Sequence, residues 1–381
     1  MIVENCDCLE YSKLLPNDSF DLIYLDPPFF TQEIMKSSNN EYKFNDKWNG
    51  LEDYLKYMEE RFVEFKRILK KTGSIFVHCD RNASHYLKVI LDKVFGMDNF
   101  QSEIVWSYKR WSNSKKGLLN AHQIIFFYSK SSDFKFNKLL ADYSPTTNLD
   151  QILQSRKRNE NGKTVYSQDE NGRNIFADEK KGVPLSDVWE IPFLNPKAKE
   201  RVNYPTQKPI ALLERIIKLT TDEGDKVFDP FCGSGTTLVA AKLLSRDYFG
   251  TDISLDAVTL TKQRLENPIK TESNLLKLGY EKYKGHDIEF ENKIKRYNAK
   301  IVQRNKGMDG IISSNKYNFI PIKFQKENNP EEDLMLLVAA TKKKNLNYCI
   351  FVINSEFENL VGVRNIEGII VRIILDFDSL I

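Results

Sequence analysis

No stretch of the 381 residues is long and apolar enough to cross a bilayer, and the opening Met1-Ile2-Val3-Glu4-Asn5-Cys6-Asp7 is not a signal peptide. No membrane role is expected, and a cytoplasmic protein is. Cysteine is scarce: Cys6, Cys8, Cys79, Cys232 and Cys349 form an odd, scattered set that fits reduced thiols better than a disulfide framework. Cys6 and Cys8 lack a second Cys/His pair to complete a zinc site, so no metal is expected. Histidine is scarcer still, and His78 and His122, both on apolar stretches, read as core groups. Net charge is only +3, so any polyanion partner must be met by local clusters. What is present is a 41% hydrophobic content, enough for a sizeable core in two or three domains.

The apolar run Leu22-Ile23-Tyr24-Leu25 ends in Asp26-Pro27-Pro28-Phe29. Proline fixes φ and has no N–H, so Pro27 and Pro28 cannot continue a β-ladder and hold the turn extended. Taken alone, the motif reads equally well as a strand-ending turn with Phe29 in the core. It also suits a planar amine. The Asp26 carboxylate and the Pro27 carbonyl could each accept one N–H, localising a lone pair otherwise spread into the ring, while Phe29 stacks on that ring.

A second motif, Val227-Phe228-Asp229-Pro230-Phe231-Cys232-Gly233-Ser234-Gly235-Thr236-Thr237, precedes a helical stretch over 238–244 and then Tyr248-Phe249-Gly250-Thr251-Asp252-Ile253. Strand, glycine turn, helix, strand and terminal acid form a nucleotide-type βαβ unit. Asp252 lies 19 residues beyond Gly233, close to the roughly 20 expected of an acid that grips ribose hydroxyls. The third glycine that favours a pyrophosphate is missing, which points from NAD towards S-adenosyl-L-methionine. Cys232 reads as a small filler in the loop.

Together these motifs resemble the amino-group DNA methyltransferases of the N6-adenine/N4-cytosine type. Their order, catalytic motif first, resembles the permuted β subgroup. Tyr204-Pro205-Thr206-Gln207-Lys208-Pro209 resembles that subgroup's donor-pocket segment, Asn5-Cys6-Asp7 sits where the family places an acid near the donor adenine, and 71–78 and 120–127 resemble later core strands. The resemblance covers roughly 1–130 and 185–265. It implies an α/β, Rossmann-like fold with a mostly parallel sheet and helices on both faces. It implies S-adenosyl-L-methionine as cofactor, held by Asp7, Thr206, Gln207, Lys208, Pro209, Asp229, Phe231, Cys232, Gly233, Ser234, Gly235, Thr236 and Asp252. It also implies catalysis by Asp26, Pro27, Pro28 and Phe29 on a flipped base of double-stranded DNA. An acid ahead of Pro-Pro favours N6-adenine over N4-cytosine, and Phe29 replaces the more usual tyrosine. An RNA base or a protein amide as acceptor, and a non-catalytic DNA-binding module, are the readings from other classes. A companion restriction endonuclease and a homodimer are the partners the resemblance suggests.

Two cationic clusters are expected to touch DNA: Lys109, Arg110, Trp111, Lys115 and Lys116, then Arg156, Lys157 and Arg158, read as loops. The expected order is a catalytic half over 1–130, a target-recognition region over 131–184, a donor half over 185–270 and an α/β accessory domain over 271–381. Apolar spacing predicts helices over 51–70 and 86–95, and Asn161-Gly162 and Asn171-Gly172 signal hairpin turns. In the last region Asp309 and Lys323-x-Gln325 faintly resemble a nuclease core with its metal-binding residues depleted, so an inactive accessory domain is expected.

Overall fold

The computed structural model describes residues 1–36, 42–108, 116–141, 155–173, 175, 182–272, 288–302, 305–314, 317–326 and 329–376. The chain forms two compact units, 1–280 and 281–381.

In the first unit the strands are β1 (Ile2–Asn5), β2 (Phe20–Leu25), β3 (Ile34–Lys36), β4 (Lys43–Asn45), β5 (Leu69–Cys79), β6 (Phe100–Ser107), β7 (His122–Ser129), β8 (Leu140–Ala141), β9 (Arg156–Arg158), β10 (Thr164–Tyr166), β11 (Val183–Pro184), β12 (Val188–Glu190), β13 (Lys226–Asp229) and β14 (Asp247–Asp252). The helices are α1 (Cys8–Leu14), α2 (Leu51–Ile68), α3 (Ser84–Phe95), α4 (Ile210–Thr220), α5 (Thr236–Leu243) and α6 (Leu255–Glu266). An eight-stranded sheet runs β1-β14-β13-β2-β5-β7-β6-β12. Only β7 is antiparallel to its neighbours.

Strands buried on both faces read as continuous apolar runs, and all six residues of β2 are buried. Alternate side chains feed two cores: Leu22 and Tyr24 join the layer of α4, α5 and α6, while Ile23 and Leu25 join that of α2 and α3. The result is a Rossmann-like α/β sandwich in which the strand ending at Asp26 precedes the glycine turn in sequence, the permuted order. Helix α2 buries Tyr54, Met58, Phe62, Phe65 and Ile68, the three- and four-residue spacing read from the sequence.

Both Asn-Gly pairs sit at turns, with Gly162 at φ 71° and Gly172 at φ 75°. Arg156, Lys157 and Arg158 are not loop residues; they form β9, paired antiparallel with β10. Within the expected recognition region, 142–154, 174 and 176–181 lie outside the described residues. His122 corrects another expectation: it opens β7 where the strand emerges, and it is exposed. No helix among the described residues is long and apolar enough to cross a membrane.

The second unit comprises α7 (Ile288–Arg296), β15 (Ala299–Ile301), β16 (Gly310–Ser314), β17 (Asn318–Phe324), α8 (Pro330–Lys343), β18 (Tyr348–Ile353), β19 (Gly362–Ile366) and β20 (Ile369–Leu375). Its sheet order is β15-β16-β17-β18-β20-β19. Asp309 is buried. Asp333 on α8 is equally buried and pairs with Lys323 at 2.9 Å, while Lys326 pairs with Asp309. Asp309 also accepts the Phe324 N–H at 2.9 Å, and Gln325 accepts the Asn354 N–H at 3.1 Å. These carboxylates are therefore spent on internal pairs.

Candidate active site

Four neighbouring parallel strands, β1, β14, β13 and β2, deliver aspartates to the same carboxyl edge of the sheet: Asp7 just past β1, then Asp252, Asp229 and Asp26. Ligands of open α/β sheets bind outside this edge. Here a cavity of about 380 Å³ is lined by all four acids together with Pro27, Pro28 and Phe29. Thr206, Gln207, Lys208, Phe231, Cys232, Gly233, Ser234 and Thr236 line the same cavity. The two motifs, some two hundred residues apart in sequence, thus face one space. Pro209 caps α4 without the help of a side-chain hydrogen bond, and Gly235 precedes α5; neither lines the cavity.

On the glycine side, Asp252 accepts the Gly233 N–H at 2.9 Å and the Ser254 N–H at 2.8 Å, tying the loop to the end of β14. A Cβ on Gly233 would meet the Tyr204 ring at 3.1 Å, so glycine lets that ring pack against the loop. Gly235 has φ +73°, and a Cβ there would meet Thr261 at 2.5 Å. Gly235→Ala combines a left-handed backbone cost of roughly 1–2 kcal/mol with displacement of Thr261. It is expected to lower both the thermal midpoint and donor affinity, measured by thermal melting and titration calorimetry. Asp7 caps α1 through the Leu9 N–H at 2.8 Å and pairs with Arg61 at 2.6 Å, which fixes its carboxylate at the cavity wall.

Burial pushes the Asp229 carboxyl up from 3.8 to about 7, helped by the neighbouring charges of Asp26 and Asp252 and opposed by bonds from Thr237 and the Phe231 N–H. The folded chain therefore holds a proton that the unfolded chain releases. This group's contribution to stability is largest below 3.8 and declines as pH rises to about 7.

On the proline side, the Lys208 ammonium pairs with Asp26 Oδ2 and lies 5.4 Å from the centre of the Phe29 ring. Lys208, expected on the donor side, thus reaches Asp26 on the other motif. Asp26 Oδ1 is buried and has no hydrogen-bond partner among the described residues. Burial raises the Asp26 pKa, and Lys208 opposes that rise. Behind Asp26, the Tyr24 hydroxyl and His78 Nδ1 are 2.8 Å apart, and His78 Nε2 lies 3.0 Å from Gln123 Oε1. Burial and the Lys208 charge hold His78 neutral, its pKa well below 6.5, so it is the bonded core group the sequence suggested. The Tyr54 hydroxyl donates to the Pro28 carbonyl at 2.9 Å.

Of the expected DNA contacts, Lys109, Arg110, Trp111 and Lys115 lie outside the described residues. Lys116, Arg156, Lys157 and Arg158 are exposed. Sequence reasoning missed Asp46, Tyr54 and Glu200. Glu200 is buried and accepts the N–H groups of Ile210 and Thr271 at 3.0 and 2.8 Å.

The Asp26-Pro27-Pro28-Phe29 turn and the glycine loop meet on one sheet edge, the arrangement expected of an amino-group methyltransferase. Residues 20–263 match the N6/N4 family described as DNA methylase, and the chain belongs to that family. It is 32% identical to the type II methyltransferase M.HpaI of Haemophilus parainfluenzae over 255 residues, 67% of this chain and 71% of that one. It is 29% identical over 289 residues to the type II methyltransferase M.HinfI of Haemophilus influenzae, covering 71% and 70%. With the DNA adenine methyltransferase YhdJ of Escherichia coli (strain K12) it shares 29% over 263 residues, covering 68% and 81%. Among solved structures, the cytosine-N4-specific PvuII DNA methyltransferase is similar with 17% identity and a TM-score of 0.46, over 70% of this chain and 87% of that one.

S-adenosyl-L-methionine is the cofactor, and the cavity fits it: the acidic wall suits a cationic donor, and the glycine loop lines the same space.

Proposed function

We propose that the protein methylates the N6 amino group of adenine in duplex DNA, as the modification partner of a restriction endonuclease in the cytoplasm. The observation that carries this reading is the unpartnered Asp26 Oδ1, buried at the wall of the cavity that the glycine loop also lines. Bound S-adenosyl-L-methionine would supply an electrophilic sulfonium methyl. Asp252 would accept from its ribose hydroxyls, Asp7 would lie towards its adenine, and Asp229, Phe231 and the 206–209 segment towards its methionine part.

The target base reaches the cavity only when flipped out of the duplex. Asp26 Oδ1 and the Pro27 carbonyl accept the two amine hydrogens, and Phe29 stacks on the base. The nitrogen lone pair is thereby localised, and catalysis is positioning and electrostatics without a covalent enzyme intermediate. The acid at position 26 and the name of the adenine-specific relative YhdJ both favour adenine. Lys116 and the strand of Arg156, Lys157 and Arg158 supply cations for phosphates, with the neighbouring cationic segment 109–115. We assign 281–381 an accessory role without nuclease activity, because its buried carboxylates Asp309 and Asp333 are paired with Lys326 and Lys323.

Incubating the protein with methyl-labelled donor and unmethylated bacterial DNA, then digesting to nucleosides, tests this reading. N6-methyladenine is expected. N4-methylcytosine would overturn the base, and label confined to RNA or protein would overturn the acceptor.

Donor affinity should also depend on pH. Raising pH through about 7 deprotonates Asp229 and adds negative charge beside a cationic donor. Calorimetric titration is expected to show tightening across that range, and Asp229→Asn should flatten the profile.

A further inference from the structure

We infer that Asp46, which no motif marks, is a positioning residue that clamps the catalytic turn; the inference rests on the amine-methylating reading above. Its carboxylate is buried, and one side chain collects five donors. Oδ2 accepts the N–H of Phe29 at 3.2 Å, the N–H of Thr31 at 2.9 Å and the Thr31 hydroxyl at 2.6 Å. Oδ1 accepts the N–H of Phe30 at 3.0 Å and the Trp48 indole N–H at 3.1 Å. Three successive backbone N–H groups converging on one anion form a nest, a geometry that requires departures from ordinary backbone angles. Phe30 supplies one, with φ +59°, and Gln32 another, with φ +61°, in a region that bulky residues avoid.

Such a turn persists only when its surroundings over-determine it. Asp46 does so at both levels: its own N–H donates to the Glu33 carbonyl and its carbonyl accepts the Gln32 N–H, both at 3.0 Å. The Gln32 amide then pairs with the backbone of Trp48 in both directions. The clamp begins at Phe29, one residue after Pro28, whose carbonyl Tyr54 holds. Backbone groups from Pro28 to Gln32 are therefore anchored. Asp26 and Pro27, which line the cavity, directly precede this anchored stretch, and Phe29 is held through its own bonded N–H.

A positioning role separates transfer from donor binding, because Asp46 bonds to the catalytic turn and not to the glycine loop. Asp46→Asn presents an amide N–H₂ to groups that themselves donate, and the nest opens. Three measurements compare this variant with the wild type: single-turnover methyl transfer to bacterial DNA, calorimetric donor affinity, and amide exchange of residues 29–31. The expected result is a fall in transfer of about 10²-fold, the loss associated with a misplacement near 1 Å, with donor affinity unchanged. Exchange at residues 29–31 should accelerate while the strand before them stays protected.

Should Asp46→Asn not fold, Thr31→Val removes one of the five donors, and a transfer loss of about tenfold carries the same inference. Wild-type transfer in a folded Asp46→Asn or Thr31→Val variant would overturn it. So would loss of donor affinity in step with transfer, or unchanged exchange at residues 29–31. A wild-type protein that leaves adenine unmethylated fails the functional reading instead, and the exchange experiment still decides the clamp.

Discussion

Asp26→Ala is expected to reduce methyl transfer by about 10³-fold or more while leaving S-adenosyl-L-methionine binding in place. In the proposed reading the carboxylate supplies one of two acceptors for the target amine, and alanine offers none. Donor binding survives because Asp252 and the glycine loop sit on neighbouring strands with their own bonds. The alanine variant also leaves the buried Lys208 ammonium without its partner, which costs stability. Asp26→Asn keeps the shape of the side chain and removes the charge, so it separates the catalytic from the structural loss. Single-turnover transfer with calorimetric donor titration reads both quantities. Substantial turnover in either folded variant would contradict the assigned role of Asp26.

The opposite split is expected for Asp252→Ala. Its carboxylate anchors the Gly233 and Ser254 N–H groups and would accept from the donor ribose. Hydrogen bonds to a charged group contribute about 1.5–3 kcal/mol each, so losing the ribose contacts and the loop anchor should weaken donor binding by about 10²-fold or more. At saturating donor the transfer rate should recover, because the Asp26 turn and its Asp46 clamp are untouched. A variant whose rate stays low at saturating donor would show that Asp252 acts on the reaction itself.

The core strands are legible in the sequence because strands buried on both faces must be apolar throughout, as β2 is, and must stop at residues that cannot extend the ladder. The glycine loop is legible for a similar reason: Gly233 and Gly235 have φ of +49° and +73°, and a Cβ on Gly235 would collide with Thr261, so backbone geometry dictates residue type. The convergence of Asp7, Asp26, Asp229 and Asp252 follows once four adjacent strands are known to be parallel.

Asp46 is illegible because its ligands are mostly backbone N–H groups, which every residue but proline carries. Lys208 reads as a donor-side residue from its motif, yet a long side chain can carry its charge well away from its backbone, here to Asp26. His122 misleads because a strand's first residue can share its apolar pattern without sharing its burial. In the second unit, Lys323 and Asp309 are visible in sequence, whereas their pairing with Asp333 and Lys326 depends on where α8 packs.

The most direct test of the central claim is a map of modified bases in bacterial DNA from cells expressing either the wild-type chain or Asp26→Ala. The account predicts N6-methyladenine at one recurrent sequence with the wild type and none with the variant. Unmodified adenine in both, or equal modification by both, would contradict it.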